Sequence, residues 1–273
     1  RFVEFDWAGT ELGPLDAWPL ELRVAVDLCL GTLFPTSLRV GDTLRMVYND
    51  ACREVYGEAR FQDALGQPAA DVWPETTAQV GDLIATVKET GRPYFFSDRP
   101  LYLNRVVDSE ECYFTLCFSA LDAEDGSVLA VVATFVETTR QVLAERRLST
   151  LARVGRAVSQ SGTEAELARA ALPVLAENAA DHPSGALYRA PRASAARAAP
   201  LAEFGRVEDA AAVLTLVEHC RSAAAVQHDG TLHAFPIIAP EQESPSHVLV
   251  LRHNDARPWD AELDTYFGLL ATT

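Results

Sequence analysis

The side chains able to do metal or nucleophile chemistry are few and unevenly placed. All six histidines (182, 219, 228, 233, 247 and 253) fall in the second half of the 273-residue chain. His219-Cys220, His228 and His233 form the densest group of soft ligands, and zinc accepts both imidazole and thiolate. The spacing matches no standard zinc site. His228 and His233 flank the Asp229-Gly230 turn, so a hairpin brings them near each other without any metal. They read as surface and hairpin histidines, and no metal is expected. A glycine-rich phosphate loop, His-Glu-x-x-His, paired Cys-x-x-Cys and Gly-x-Ser-x-Gly are all missing. The expectation is a chain that is not itself an enzyme.

Composition narrows the class further. At 48% hydrophobic and 23% charged, the chain is ordinary for a globular protein and long enough for two cores. Residues 1–140 carry 23 acidic against 11 basic side chains, a balance of −12 out of the net −16. Such a surface repels phosphate backbones and anionic bilayers, so neither nucleic acid nor membrane insertion is expected. The longest apolar stretch of the sheet region, Val128 to Val136, is far below the roughly 20 residues a bilayer requires. The five cysteines (29, 52, 112, 117 and 220) are odd in number and mostly sit beside Leu, Phe or Tyr. They read as buried thiols of a reducing compartment, which implies the cytoplasm.

The elements that position these residues alternate between helical and strand periods. A helix opens at Trp18-Pro19 and carries Leu22, Val26, Leu30 and Leu33 on one face. Ser37–Val40 and Leu44–Tyr48 form a hairpin, Asn49-Asp50 caps a short helix ending at Gly57, and Ala64–Trp73 holds short helical pieces. Thr77–Thr90 is a stronger helix with Val80, Leu83, Ile84 and Val87 inward and Gly91 past its end. Three strands follow, near 94–107, 111–121 and 127–136. Thr139–Ser159 is one long helix whose Ala144, Leu148, Leu151, Gly155 and Val158 make a short heptad seam. Beyond it come a capped helix from Thr163, a strand at 186–188, an Ala/Arg loop at 191–200 and a helix at 211–225. A hairpin around Asp229-Gly230, a strand at 247–253 and a terminal helix from Trp259 complete the chain. The fold class is α+β: two modules, each a small antiparallel sheet with helices, over 1–138 and 161–273, joined by a helix over 139–160.

The first module resembles a PAS domain. The resemblance rests on Leu12-Gly-Pro-Leu with Trp18-Pro and Leu22-Arg, then Phe34-Pro and Tyr48-Asn-Asp-Ala51. It continues through Ala64-Leu-Gly-Gln-Pro68, Val72-Trp-Pro74, Tyr113-Phe-Thr115 and Glu137-Thr-Thr-Arg140. The second module is similar to a GAF domain, mainly in element order and in the 232–251 region. The resemblance implies the input portion of a bacterial sensor, such as a two-component histidine kinase or a phosphatase. It implies a homodimer with an output domain following in cis. The heptad seam offers Leu148, Leu151 and Val158 as the dimer contact, the other reading of that helix being an amphipathic helix packed on its own module.

It also implies a pocket between sheet and inserted helices, where Tyr48, Asn49, Trp73, Tyr113 and Thr115 would meet a small molecule. Flavin photosensors of this fold need a cysteine later than Cys52, and 65–73 contains none. Haem has no histidine in the first module, and bilin attachment follows Cys-His order where this chain has His219-Cys220. Flavin, haem and bilin are therefore not expected, and the cofactor is left open. The alternative reading is a protein–protein interaction scaffold that binds no small molecule.

Overall fold

The computed structural model describes residues 1–190, 198–206, 209–238 and 242–273. They divide into two units, Arg1–Val142 and Leu143–Thr273. In the first, Trp7 and Trp18 sit with ring centroids 5.1 Å apart and are both buried. The helix α1 (Leu20–Gly31) follows directly after Pro19 and buries Leu22, Val26 and Cys29. The helix includes Leu30 but stops at Gly31, short of Leu33, and these two side chains remain 39% and 93% exposed instead of joining the buried face.

Strands β1 (Thr36–Val40) and β2 (Arg45–Tyr48) form the expected hairpin. The short helices α2 (Arg53–Tyr56), α3 (Glu58–Asp63) and α4 (Ala69–Val72) lead into α5 (Pro74–Thr90). α5 buries Val80, Ile84 and Val87 and ends on Gly91 at φ 67°, a left-handed cap that only glycine adopts without strain. Then come β3 (Tyr94–Leu103), β4 (Glu110–Asp122) and β5 (Val128–Glu137). The antiparallel sheet has the order β2-β1-β5-β4-β3, so the first hairpin joins the last strand and the inserted helices span between.

Asn49 does not cap the helix after it. Its carboxamide instead accepts from Thr36 N at 3.2 Å and donates to the carbonyls of Thr32 and Phe34 at 3.0 and 2.7 Å. The side chain thus fixes the path from α1 into β1 and satisfies three backbone groups at once.

The long helix α6 spans Thr139–Ser159, as its periodicity implies. Its inward face is one position away from the heptad seam. Leu143, Arg147, Thr150 and Val154 are buried, while Leu148 is 66% exposed. Leu151 and Val158 pack partly against the second unit's own core, alongside Val154 and Phe267. Of the three residues expected at a dimer seam, the structure leaves only Leu148 on the surface.

The second unit continues with α7 (Glu164–Glu177), which opens on a complete capping box between Thr163 and Glu166. Its sheet has the order β7-β6-β10-β9-β8 and is antiparallel throughout. The strands are β6 (Ser184–Arg189), β7 (Ala199–Phe204), β8 (Gln227–Asp229), β9 (Leu232–Ile237) and β10 (His247–Arg252). α8 (Ala210–Ala223) and α9 (Ala261–Thr272) pack on it, capped by Asp209 and Asp260. The Ala/Arg loop expected at 191–200 lies outside the described residues through 197, and β7 begins where that loop was to end. Ala and Pro gave β7 no strand signal. It forms because β6 offers an edge to pair with.

Candidate functional site

A cavity of about 60 Å³ lies between the sheet of the first unit and its inserted helices. β4 builds one wall with Phe114, Leu116 and Phe118, while Leu101, Phe135 and Arg39 come from β3, β5 and β1. The helices close the other side with Tyr56, Trp73, Thr76 and Val80. Tyr56 and Trp73 meet edge to face, with centroids 5.2 Å apart. Burial, then the neighbouring Cys52, push the Tyr56 phenol well above its ordinary range, so it stays neutral. Among the described residues the site offers apolar contact, ring edges, the hydroxyls of Tyr56 and Thr76, and the Arg39 cation.

The structure brings only one of the five expected pocket residues to this cavity: Trp73. Tyr113 and Thr115 alternate with Phe114 and Leu116, so the period of two sends them to the opposite face of β4. There Tyr113 Oη donates to Glu111 at 2.7 Å, and Thr115 Oγ1 accepts from Asp98 N at 3.3 Å. Tyr48 donates to the Phe61 carbonyl at 2.5 Å, and Asn49 is consumed in the α1–β1 turn. Cys52 is buried, with Sγ 3.4 Å from the Thr36 carbonyl, and burial pushes its thiol up to about 12. Such a thiol is inert at neutral pH. Arg39 was not singled out from the sequence. A lone charge between Leu38 and Val40 in a short strand is its only trace there.

A second arrangement sits where β5 runs into α6. Glu137 accepts from Arg105 Nη1 at 2.8 Å and from Thr139 Oγ1 at 2.7 Å, and Arg105 also reaches Glu110 at 3.1 Å. Burial disfavours the Arg105 charge, but the bonds from Glu137 and the neighbouring Cys112 outweigh that and raise its pKa. Tyr113 N donates to Thr139 Oγ1 at 2.9 Å, and Thr138 N donates back to the Tyr113 carbonyl at 2.8 Å. The strand that walls the cavity is therefore bonded to the first residue of α6.

In the second unit, an apolar cavity of about 250 Å³ is lined by aliphatic side chains such as Leu172, Leu187 and Leu249. Among the described residues that line it, none has a charged side chain. The histidines fall differently from their sequence order. His219 is exposed on α8, while Cys220 is buried with Sγ 3.4 Å from the Ala234 carbonyl. His233 instead pairs with His253, Nε2 to Nδ1 at 2.9 Å, and stacks on Trp259 at 3.7 Å. Among the described residues no group of three or more His, Cys, Asp or Glu is arranged to hold a metal. Among them, too, no helix is long and apolar enough to cross a membrane.

Residues 39–143 match the family profile of the PAS fold. No curated protein matches the chain. Among solved structures, the PAS domain of Bordetella pertussis BvgS is 21% identical, over 48% of this chain and 96% of its own, with a TM-score of 0.37. A sensory box sensor histidine kinase from Vibrio cholerae is 17% identical over 42% of this chain and 87% of its own, with a TM-score of 0.30. The GAF domain of an Acinetobacter phosphoenolpyruvate-protein phosphotransferase is 12% identical over 46% of this chain and 87% of its own, with a TM-score of 0.36.

Proposed function

With a PAS domain in the first unit as the premise, we propose that the chain is the non-catalytic input portion of a bacterial signal-transduction protein. The cavity takes a small molecule, β4 and β5 pass the change to α6, and an output domain in cis responds. The second unit serves as a GAF-like partner module, and the protein works in the cytoplasm as a homodimer. The output is of the histidine-kinase or phosphatase kind. A ligand shifts such a device only by its differential affinity for two arrangements.

One observation carries this reading. β4 presents Phe114, Leu116 and Phe118 to the cavity, and its Tyr113 backbone holds Thr138 and Thr139 at the start of α6. Glu137→Gln keeps the shape and removes the charge that anchors Arg105. Losing a charge-assisted bond of about 1.5–3 kcal/mol should speed amide exchange at Tyr113 and Thr138 roughly tenfold or more. Hydrogen exchange resolved to these amides gives the answer. Unchanged protection would remove the junction as the relay.

The homodimer part of this reading has an observation of its own. Leu20, Val24 and Leu28 repeat every four residues along α1 and are 65%, 49% and 70% exposed. The face suits a second copy of the chain, since α1 already buries its other face at home. Leu28→Glu should convert a dimer to monomer by light scattering with no loss of thermal stability. A variant that stays dimeric would show that this face is not the contact.

A further inference from the structure

We propose that the cavity of the first unit binds a small monocarboxylate with a short apolar tail, held at its head by Arg39. The inference rests on the reading of this cavity as a ligand site and names the ligand's chemistry.

Arg39 is 7% exposed and lines the cavity. Among the described residues its one hydrogen bond runs from Nη1 to Ser37 Oγ at 3.3 Å, and its Nε has no partner. Its carbon Cζ lies 5.7 Å from the Phe118 ring centroid. No described carboxylate forms an ion pair with it. The same chain treats its comparably buried arginines otherwise: Arg105 meets Glu110 and Glu137, and Arg147 meets Asp181. A guanidinium keeps its proton even when buried, so the charge persists. An uncompensated buried cation is costly, and an anion entering beside it removes that cost.

Size and lining then select the anion. In the measure where one water needs about 10–15 Å³, a cavity of about 60 Å³ holds roughly four to six waters. Away from Arg39 the walls are side chains such as Val80, Leu101, Phe114 and Leu116. Beyond Arg39 the described lining adds the hydroxyls of Tyr56 and Thr76, and a doubly charged phosphate would set its remaining charge against otherwise apolar walls. A monocarboxylate matches the guanidinium fork with two oxygens and gives the walls a hydrocarbon tail.

Calorimetry on the whole chain with butyrate, butyramide and inorganic phosphate tests this. Butyrate should bind about tenfold or more tightly than butyramide, the scale of a charge-assisted bond. Arg39→Met should abolish that preference without lowering the melting temperature, because it deletes an unpaired charge. The comparison of the three probes on unaltered protein stands whether or not the variant folds. Butyramide binding as well as butyrate would overturn the carboxylate inference and leave the ligand-site reading in place. Phosphate displacing butyrate at equal concentration would also overturn it. Silence from all three probes would sink both.

Discussion

Between pH 6.5 and about 4 the second unit should lose stability while the first holds. Burial lowers both His182 and His233 to about 4 from an ordinary 6.5. Asp181 pulls His182 back towards the charged form without reversing the shift, and His253 adds to the lowering of His233. Both rings are nearly inaccessible, at 0% and 5% exposure. A base whose folded pKa lies below its unfolded one contributes its full stability above the unfolded value. That contribution is lost as the pH falls towards the folded value. The shift of His182 is worth roughly 3 kcal/mol, a large part of an ordinary domain's stability, and that of His233, closer to solvent, is worth less.

The geometry gives the reason. His182 Nε2 shares a 3.0 Å hydrogen bond with Tyr266 Oη, and its Nδ1 has no partner to receive a second proton's charge. The His233–His253 bond needs one nitrogen to donate and the other to accept, which two imidazolium rings cannot do. The first unit has no histidine at all. Hydrogen exchange read separately for residues 1–142 and 143–273 should show only the latter opening near pH 4.5. Loss of protection in both units together would refute the assignment of acid sensitivity to these rings.

Asp181→Ala should cost the second unit roughly 3–5 kcal/mol, the scale of breaking a buried ion pair from one side. The carboxylate has no exposed surface and holds Arg146 at 2.9 Å and Arg147 at 3.5 Å. It also accepts from Asn178 Nδ2 at 2.9 Å. Burial would raise its pKa, but the bond and charge of Arg146 and the bond from Asn178 prevail and hold it below the usual carboxylate range. Without it, Arg147 loses its counter-charge inside the unit and Arg146 loses one of its partners. Urea denaturation of the variant measures the loss. A cost under about 1 kcal/mol would mean that both arginines reach water unaided. Because Arg146 and Arg147 are on α6, this carboxylate also fixes the helix that the proposed relay acts on.

These two sites were invisible as sites in the sequence, though their residues were in plain view. His182 and Asp181 stand in a loop between α7 and β6 with no motif around them. Their partners come from α6 and α9, which are 35 and 84 positions away in the Arg146–Asp181 and His182–Tyr266 pairs. The pocket assignment failed for a different reason. Choosing Tyr113 and Thr115 over Phe114 and Leu116 is a choice between the two faces of one strand. Polar tips favoured the wrong face, because the cavity side of β4 is the apolar side. Trp73 lines the cavity because it directly precedes Pro74, the first residue of α5, whose helix closes the same side with Thr76 and Val80.

Local pattern determined most of the element list. Pro19 before α1, Gly57 and Gly91 at helix ends, the capping box at Thr163 and the turn at Asp229-Gly230 each act within a few residues, so short-range sterics and hydrogen bonds suffice. The strand periods of β4 and β5 and the helical period of α6 were likewise local. Tertiary structure alone decided which face of α6 turns inward, because Arg147 and Thr150 become core residues only when Asp181 and Asn178 arrive to satisfy them. It also decided that β7 is a strand and that Arg39 is a buried, unpaired cation. Arg39 lies in β1, which the sheet order places between β2 and β5. Burial of that kind depends on which strands pair, and pairing across some 90 residues is written in no local pattern.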